Sequence, residues 1–364
     1  DHIDKADPVI SVTPYSVTYS GAAHNATGTA KGVLNENLAG LDLSGTTHTN
    51  AGDYLTDAWT FTDASGNYNN ATGTVHDHID KADPVISVTP YSVTYSGAAH
   101  TATGTAKGVL NENLAGLNLS GTTHTDAGDY PSDPWTFTDV TGNYNNPKGT
   151  VHDHIDKANA TINVTLYNVV YDGNSHTATG TATGVKGESL SGLNLTGTTH
   201  SNPGDYTSDP WSFSDVTGNY NATTGTVHDQ IRFGACSSAF GVGNAILPPI
   251  NSDGTSVYPR KGGSTIPVKF RVCGATGTPI ASANLVFAPT GATLTMLSAM
   301  RGTIDNVNES GITDVPDVAF RWDSSGQQWI FNMGTSNLTA GQTYQFRINL
   351  AYGPQSIPFM IGVK

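Results

Sequence analysis

A 76-residue segment occurs three times in this chain without insertion or deletion, and this repeat limits the possible folds more than any other feature. The string Asp-His-Ile-Asp-Lys-Ala begins at Asp1, Asp77 and Asp153. The first two copies differ at only 10 of 76 positions. A fixed period means that one structural unit is used in series. Because 76 residues can form a small core, each copy is predicted to be a small domain.

The charge distribution separates the three copies from the rest of the chain. Residues 1–231 carry 24 acidic and 7 basic side chains (net −17), and residues 232–364 carry 6 and 9 (net +3), which together give −14. We predict four domains, at 1–80, 81–156, 157–231 and 232–364. Asp1–Ala6 matches the last strand of a preceding copy, so we expect the sequence to be part of a longer one.

Apolar and polar residues alternate within each copy. Ile10 and Val12 have polar neighbours, as do Trp59 and Phe61, and turn-forming runs such as Ser65–Asn67 lie between such segments. This period of two is typical of half-buried strands. Six or seven short strands and no helix are therefore expected in each copy. The predicted fold class is all-β: tandem small antiparallel β-sandwich domains of Ig-like type, with a distinct β-sandwich domain at the C-terminus.

The junctions between copies are short. Residues 75–82 contain neither Gly nor Pro, and the next predicted strand starts at Val85. Such a junction leaves little room for hinge motion, which favours an elongated rod over a flexible chain of domains. Three domains end to end would span on the order of 100 Å.

Several motifs carry a family resemblance. In the first copy they are Tyr19–His24, Ala51–Tyr54 and Trp59–Asp63, and their spacing is kept in the other two copies. All three copies resemble the MBG repeats of bacterial surface proteins. Further along, Ser264–Arg271 is similar to the signature of the PxKF domain. These resemblances imply secreted or surface-displayed all-β modules, and neither implies a catalytic activity.

Cys236 and Cys273 are the only cysteines, and both lie in the C-terminal segment. An exported chain with an even number of cysteines is expected to pair them. A disulfide between Cys236 and Cys273 is therefore predicted.

Pairs of histidines recur at the end of each copy. His76 and His78, like His152 and His154, are two positions apart, so on a strand each pair faces one way and could chelate a metal ion. No third ligand is evident from the sequence, and the third copy has Gln230 in place of the second histidine. The alternative interpretation is a pair of solvent-facing strand residues. Both interpretations stay open.

Two other features have a structural and a functional interpretation. The loop Asp63–Tyr68 is rich in oxygen ligands, but it offers too few for calcium, and a side-chain-capped turn explains its composition equally well. Trp59, in register with Phe61, is either a sugar-stacking platform or part of the core. A core position is favoured, because each copy has a single Trp beside a Phe.

Other functions and partners follow from composition. Motifs for a catalytic nucleophile, a nucleotide loop or a zinc-protease site are absent from the sequence, so neither enzymatic activity nor a cofactor is expected. The acidic repeats disfavour nucleic acid, and no segment approaches the 18 apolar residues of a membrane span. Glycans are possible partners at nine Asn-X-Ser/Thr sequences. These begin at Asn25, Asn70, Asn118, Asn159, Asn163, Asn194, Asn221, Asn308 and Asn337.

Three hypotheses follow for an extracellular or cell-surface protein of this kind. The first is a structural stalk or spacer built of tandem repeats, attached to the cell envelope. The second is the subunit of a filament that assembles with itself, by head-to-tail contact or strand addition. The third is a carbohydrate-binding accessory module of a secreted protein.

Overall fold

The computed structural model describes residues 1–259, 264–289, 294–301, 312–313 and 316–364. The protein is nearly all β, with 49% strand and 5% helix, which confirms the predicted fold class. Two compact units are present: Asp1–Asn159 with Thr217–Tyr220, and Ala160–Val216 with Asn221–Lys364. In the described part of the chain, none of the helices combines the length and apolarity that a bilayer crossing requires.

The first copy contains six strands and one turn of 3-10 helix (Ser44–Thr46), which agrees with the expected strand number. Its strands are β1 (Val9–Thr13), β2 (Ser16–Thr18), β3 (Thr27–Lys31), β4 (Leu41–Asp42), β5 (Gly52–Phe61) and β6 (Ala71–Asp80).

The other two copies have the same elements in the same order. The second has β7 (Val85–Thr89), β8 (Ser92–Thr94), β9 (Thr103–Lys107), β10 (Leu117–Asn118), a 3-10 turn (Ser120–Thr122), β11 (Gly128–Phe137) and β12 (Lys148–Asp156). The third has β13 (Thr161–Thr165), β14 (Asn168–Val170), β15 (Thr179–Thr183), β16 (Leu193–Asn194), a 3-10 turn (Thr196–Thr198), β17 (Gly204–Phe213) and β18 (Thr223–Arg232).

Each copy is a sandwich of two unequal sheets. In the first copy β1 pairs with β3, and the larger sheet has the order β2-β6-β5-β4. Most pairs are antiparallel, but β2 runs parallel to the end of β6, with Val17 opposite Ile79. This parallel pair departs from the antiparallel pairing expected from the sequence, within a β-sandwich fold that otherwise follows the prediction. The chain crosses from the smaller sheet to the larger one between β1 and β2. In the larger sheet β2 then runs in the same direction as β6.

A β-bulge interrupts the long hairpin of β5 and β6. The register passes from Tyr54 opposite Asp77 to Asp57 opposite Val75, which leaves one extra residue on β5. Since a bulge re-aims the following side chains, Asp57 comes to lie beside Asp77 in the interior, and both carboxyl groups are buried. The same bulge occurs between Tyr130 and Asp133 in the second copy.

The hydrophobic core of a single copy is small. In the first copy it consists of Ala30, Phe61 and Tyr68, with partly buried neighbours such as Ile10. Buried hydrogen bonds supplement it. The Thr46 hydroxyl group accepts a bond from Ala26 N–H (2.9 Å) and donates one to Leu43 C=O (2.8 Å). A domain of this size buries little surface, so such satisfied polar groups contribute much of its specificity.

The C-terminal domain has a larger core between two sheets, of order β19-β21-β25-β24 with β23 beside β21, and β20-β27-β26-β22. Its strands are β19 (Ala245–Leu247), β20 (Val257–Tyr258), β21 (Ser264–Arg271), β22 (Leu294–Arg301), β23 (Ile312–Thr313), β24 (Arg321–Asp323), β25 (Gln328–Gly334), β26 (Gln342–Ile348) and β27 (Ile357–Val363). One helical turn, α1 (Ala283–Val286), and one 3-10 turn (Gly353–Gln355) connect them.

Aromatic side chains fill this second core. Phe287 lies 5.0 Å from Trp329 in an edge-to-face contact, measured between ring centroids. The buried Trp329 indole N–H donates to Ile280 C=O at 3.0 Å. Cys236 and Cys273 are joined by a disulfide bond across 37 residues, in agreement with the prediction.

Candidate functional site

The loop after β5 is a turn capped by its own aspartate. Asp63 Oδ1 accepts the Ser65 backbone N–H (3.0 Å), and Oδ2 accepts that of Tyr68 (2.8 Å). The Tyr68 bond is the main reason that the pKa of Asp63 is lowered to about 2. Because both carboxylate oxygens are engaged within the loop, the turn interpretation is supported over a calcium loop.

In the second copy this loop also contacts the preceding copy, within the first compact unit. Asn143 Oδ1 accepts the Ala51 backbone N–H at 2.8 Å, and Asn143 Nδ2 donates to Asn50 Oδ1 at 3.3 Å. Asn143 is only 7% exposed, whereas Asn67, its equivalent in the first copy, is exposed. The two asparagines share a sequence environment but differ in whether another copy covers them.

An aromatic contact adds to this junction. Tyr19 of the first copy meets Tyr144 of the second edge to face, with ring centroids 5.4 Å apart. Tyr144 is 1% exposed, and its hydroxyl group donates to Glu112 (2.5 Å) while accepting the Val109 N–H (3.1 Å). Burial, with Glu112 as the second cause, raises the pKa of Tyr144 to about 12.

The connecting segment itself belongs to the sandwich. Strand β6 ends at Asp80, and Ala82 already bonds to the second copy's loop, donating to Asn143 C=O (3.0 Å) and accepting from Asn145 N–H (2.9 Å). Only Lys81 lies between these two anchored positions. The short junction expected from the sequence is therefore fixed by strand β6 on one side and by the hydrogen bonds of Ala82 on the other.

The same bonds recur at the next loop. Asn219, which belongs to the first unit, accepts the Ala127 N–H (2.7 Å) and donates to Asp126 (3.1 Å). In the third copy, the position of Ala51 and Ala127 is occupied by Pro203, which has no N–H to donate. The copy that is followed by a different kind of domain thus lacks the donor that the other two use.

The junction after the third copy, inside the second unit, uses other contacts. The buried Phe233 donates its N–H to Gln355 Oε1 (2.7 Å) and accepts from Gln355 Nε2 (3.1 Å). Tyr171, equivalent to Tyr19, packs against the aromatic core of the C-terminal domain, and its C=O accepts the Ala275 N–H at 2.8 Å.

The structure brings a carboxylate to the histidine pair at the end of β6. Asp53 lies opposite His78 across the strands, and its Oδ1 is 2.5 Å from His76 Nε2 and 3.1 Å from His78 Nδ1. On its other side, His78 Nε2 is 3.0 Å from Asp80 Oδ1. The candidate third ligand, which the sequence did not reveal, is Asp53, 23 residues away from His76.

Charge interactions tune this cluster. Hydrogen bonding to His76, and then to His78, lowers the pKa of Asp53. Bonds to Asp53 and Asp80 raise the pKa of His78. All of these side chains are accessible, with side-chain exposures of 54% for His76, 37% for His78 and 53% for Asp53. His152 and His154 meet Asp129 at 2.5 and 3.1 Å in the second copy.

A second, buried cluster lies beneath the bulge. Asp77 Oδ1 accepts the Tyr15 N–H at 2.9 Å, and its other oxygen is buried beside Asp57. Burial raises the pKa of Asp77, and Asp57 raises it further while the Tyr15 bond opposes the shift. Asp57 in turn bonds to His48 (2.8 Å), whose ring stacks on Tyr54 at 3.5 Å between centroids. Sequence reasoning missed this cluster, since nothing in the pattern marks Asp77 as buried.

The tryptophans of the repeats are less buried than the neighbouring phenylalanines. Phe61 is 1% exposed, whereas Trp59, on the same face of β5, is only partly buried and packs against the core. A Cβ atom on Gly73, the cross-strand partner of Trp59, would come within 2.4 Å of the indole ring. The absence of a side chain at Gly73 thus lets the ring lie over β6.

The predicted acceptor asparagines are at the surface. Eight of the nine are exposed: Asn25, Asn70, Asn118, Asn159, Asn163, Asn194, Asn221 and Asn337. The ninth, Asn308, lies outside the described residues.

Comparisons with known proteins return distant structural matches. No protein-family model and no curated protein matches the chain. Domains 4–9 of the surface layer protein SbsC match 99% of this chain and 82% of their own, with 12% identity and a TM-score of 0.19. Extracellular domains 3–5 of Drosophila OTK match 78% of this chain and 99% of their own length, with 11% identity and a TM-score of 0.21. A three-domain I-band fragment of titin matches 78% of this chain and 99% of its own length, with 10% identity and a TM-score of 0.20.

Proposed function

We propose that this chain is an extracellular structural protein, a non-catalytic spacer in which consecutive β-sandwich repeats are held in fixed register. The observation that carries this proposal is the environment of the Asn143 side chain. This side chain is buried by the preceding copy and bonds to that copy's backbone, while the equivalent Asn67 is exposed. A function that depended on independent domains would not need such a bond at its junctions.

The disulfide supports an extracellular location. Cys236 and Cys273 are both part of the bond, so no described cysteine is free. Disulfides of this structural kind persist in oxidising compartments. Together with the sequence resemblance, this supports a repeat region of MBG type followed by a domain of PxKF type on a bacterial surface protein.

The spacer function is tested by measuring how well defined the distance between copies is. Spin labels on the full chain, attached through S11C and S87C, report the distance between the first two copies, because Ser11 and Ser87 are exposed and equivalent. The native cysteines stay in their disulfide. A narrow distance distribution is expected, and the Asn143→Ala variant should broaden it.

Asn67→Ala is the matched control, since it removes the same side chain from the same loop where no preceding copy is present. It should leave the distribution unchanged. A wild-type distribution as broad as that of a flexible linker would contradict the proposal, as would equal effects of the two variants.

Carbohydrate binding is a second candidate, and the half-buried tryptophans favour it. In the third copy, Trp211 lines a shallow groove together with Asn194 and Thr224, which combines an aromatic surface with polar groups as sugar sites do. Binding of a glycan that quenches tryptophan fluorescence in the wild type, and is lost in Trp211→Ala, would support it. Trp329→Phe is a control, because that ring is buried in another domain.

A further inference from the structure

The cluster of Asp53, His76 and His78 has the composition of a transition-metal site. One ligand atom from each side chain can be chosen so that all three lie within 4.8 Å of one another. Two imidazoles and a carboxylate suit zinc and its neighbours in the first transition row, whereas calcium and magnesium prefer oxygen ligands alone. The set leaves coordination positions open on the solvent side, which water can fill.

The strand pairing fixes the backbone positions from which these three side chains extend. His76 and His78 are on the same face of β6, and Asp53 is the direct cross-strand partner of His78. Two ligands of one zinc ion, each about 2.0–2.2 Å from it, are about 3.3 Å apart. His78 Nδ1 and Asp53 Oδ1 are separated by 3.1 Å. His76 Nε2 is closer to that oxygen (2.5 Å) and has to withdraw by less than about 1 Å, a movement that an exposed side chain makes by rotation.

Asp80 supplies the orienting contact. Its Oδ1 is 3.0 Å from His78 Nε2, so in the metal-bound tautomer the Nε2–H donates to Asp80 and the Nδ1 lone pair faces the ion. Metal-bound histidines commonly donate their other ring N–H to a carboxylate in this way, which fixes the tautomer and strengthens the ligand. In this arrangement Asp80 is a positioning residue.

We propose that Asp53, His76 and His78 bind a divalent transition-metal ion, and that Asp129, His152 and His154 form a second site of the same kind. The second cluster has the corresponding contacts: Asp129 Oδ1 is 2.5 Å from His152 Nε2 and 3.1 Å from His154 Nδ1, and His154 Nε2 is 3.1 Å from Asp156 Oδ1. The first site lies beside a junction: His78, Asp80 and Asp53 line one groove together with Asn145 of the following copy.

The third copy is a natural variant of the site. Gln230 replaces the second histidine and Arg232 replaces the orienting aspartate. The Gln230 amide donates to Asp205 at 2.9 Å, and His228 contacts the same oxygen at 2.6 Å. This copy keeps one imidazole and a carboxylate, so it is expected to bind the ion far more weakly than the other two.

The experiment is a calorimetric titration of the full chain, freed of metal, with zinc chloride. His78→Gln copies the third repeat and should reduce the number of zinc ions bound by one. The combination with His154→Gln should reduce it by two. Asp80→Asn should keep the number and weaken the first site about 10-fold. Gln230→His together with Arg232→Asp should add one ion, a gain that a folding defect cannot mimic.

His2→Gln is the matched control, because His2 occupies the position of His78 without the other two ligands, and its Nε2 is 2.9 Å from Asp4 Oδ1. It should change nothing. Calcium and magnesium chloride should give no binding at these sites. The proposal is overturned if the wild type binds no zinc, or if the number of ions is unaffected by the His78→Gln and His154→Gln pair in chains whose circular dichroism is native.

Discussion

Asn143 accepts a hydrogen bond of 2.8 Å from the backbone N–H of Ala51, one copy earlier in the chain. The third copy is followed by a different kind of domain, and it lacks the donor for this bond. There the position of Ala51 is Pro203, and the junction that follows is built from Phe233 and Gln355 instead. The identity of one residue therefore differs with the kind of domain that comes next.

This relationship predicts the effect of Ala51→Pro. The substitution removes the donor and leaves the Asn143 side chain with an unpaired oxygen, which should weaken the junction by about 1–3 kcal/mol. Amide hydrogen exchange of Ala82 and Asn145 should rise accordingly, by about five-fold or more. Leu55→Pro is the matched control, because the second copy carries Pro131 at that position. Equal exchange in both variants would show that the bond contributes nothing.

A second prediction concerns the buried carboxyl group of Asp77, which is fully shielded from solvent. Asp77→Ala leaves the Tyr15 N–H without its acceptor and creates a void, and we expect a loss of about 1–3 kcal/mol in the free energy of unfolding. Asp77→Asn keeps an acceptor for Tyr15 and can donate to Asp57, so it should lose far less. Denaturant titration measures both. A larger loss for the asparagine variant would mean that a charge at Asp77 is required.

A third prediction concerns acid stability and rests on Asp63, whose pKa is lowered to about 2 mainly by the Tyr68 N–H. A depressed carboxyl pKa stabilises the fold above the unfolded value of about 4, and this contribution is lost as the pH falls toward 2. The melting temperature of the wild type should therefore fall between about pH 4 and pH 2. Asp63→Asn should flatten that part of the curve. Carbon-detected NMR titration of the Asp63 carboxyl group gives the pKa directly, and an ordinary value would contradict the assignment.

Local features of the sequence predicted the local structure well. Alternation placed Ile10 and Phe61 on inward-facing strand positions, and the even cysteine count anticipated the bond between Cys236 and Cys273. These predictions succeed because strand period and disulfide pairing depend on residues that are close in sequence or few in number.

The features that sequence reasoning missed depend on pairing between distant strands. Asp53 becomes a partner of His78 only through the register of β5 and β6, and a period of two does not reveal register. Trp59 faces inward as expected, yet it stays half-buried because Gly73 offers it a flat strand instead of a pocket. Burial of Asp77 beside Asp57 depends on the bulge after Tyr54, and this bulge has no simple sequence signature.

The last prediction concerns the disulfide in the C-terminal domain, which encloses 37 residues. In the chain-entropy description, closing a loop of this length stabilises the domain by about 3–4 kcal/mol. Replacing both cysteines, as Cys236→Ser with Cys273→Ser, should lower the unfolding temperature of this domain. The transition of the repeats should stay where it is, because neither cysteine lies in a repeat. Calorimetry resolves the two transitions, and thiol labelling of the unreduced, unfolded wild type should find no free thiol. Two labelled thiols would count against the bond and against the extracellular location together.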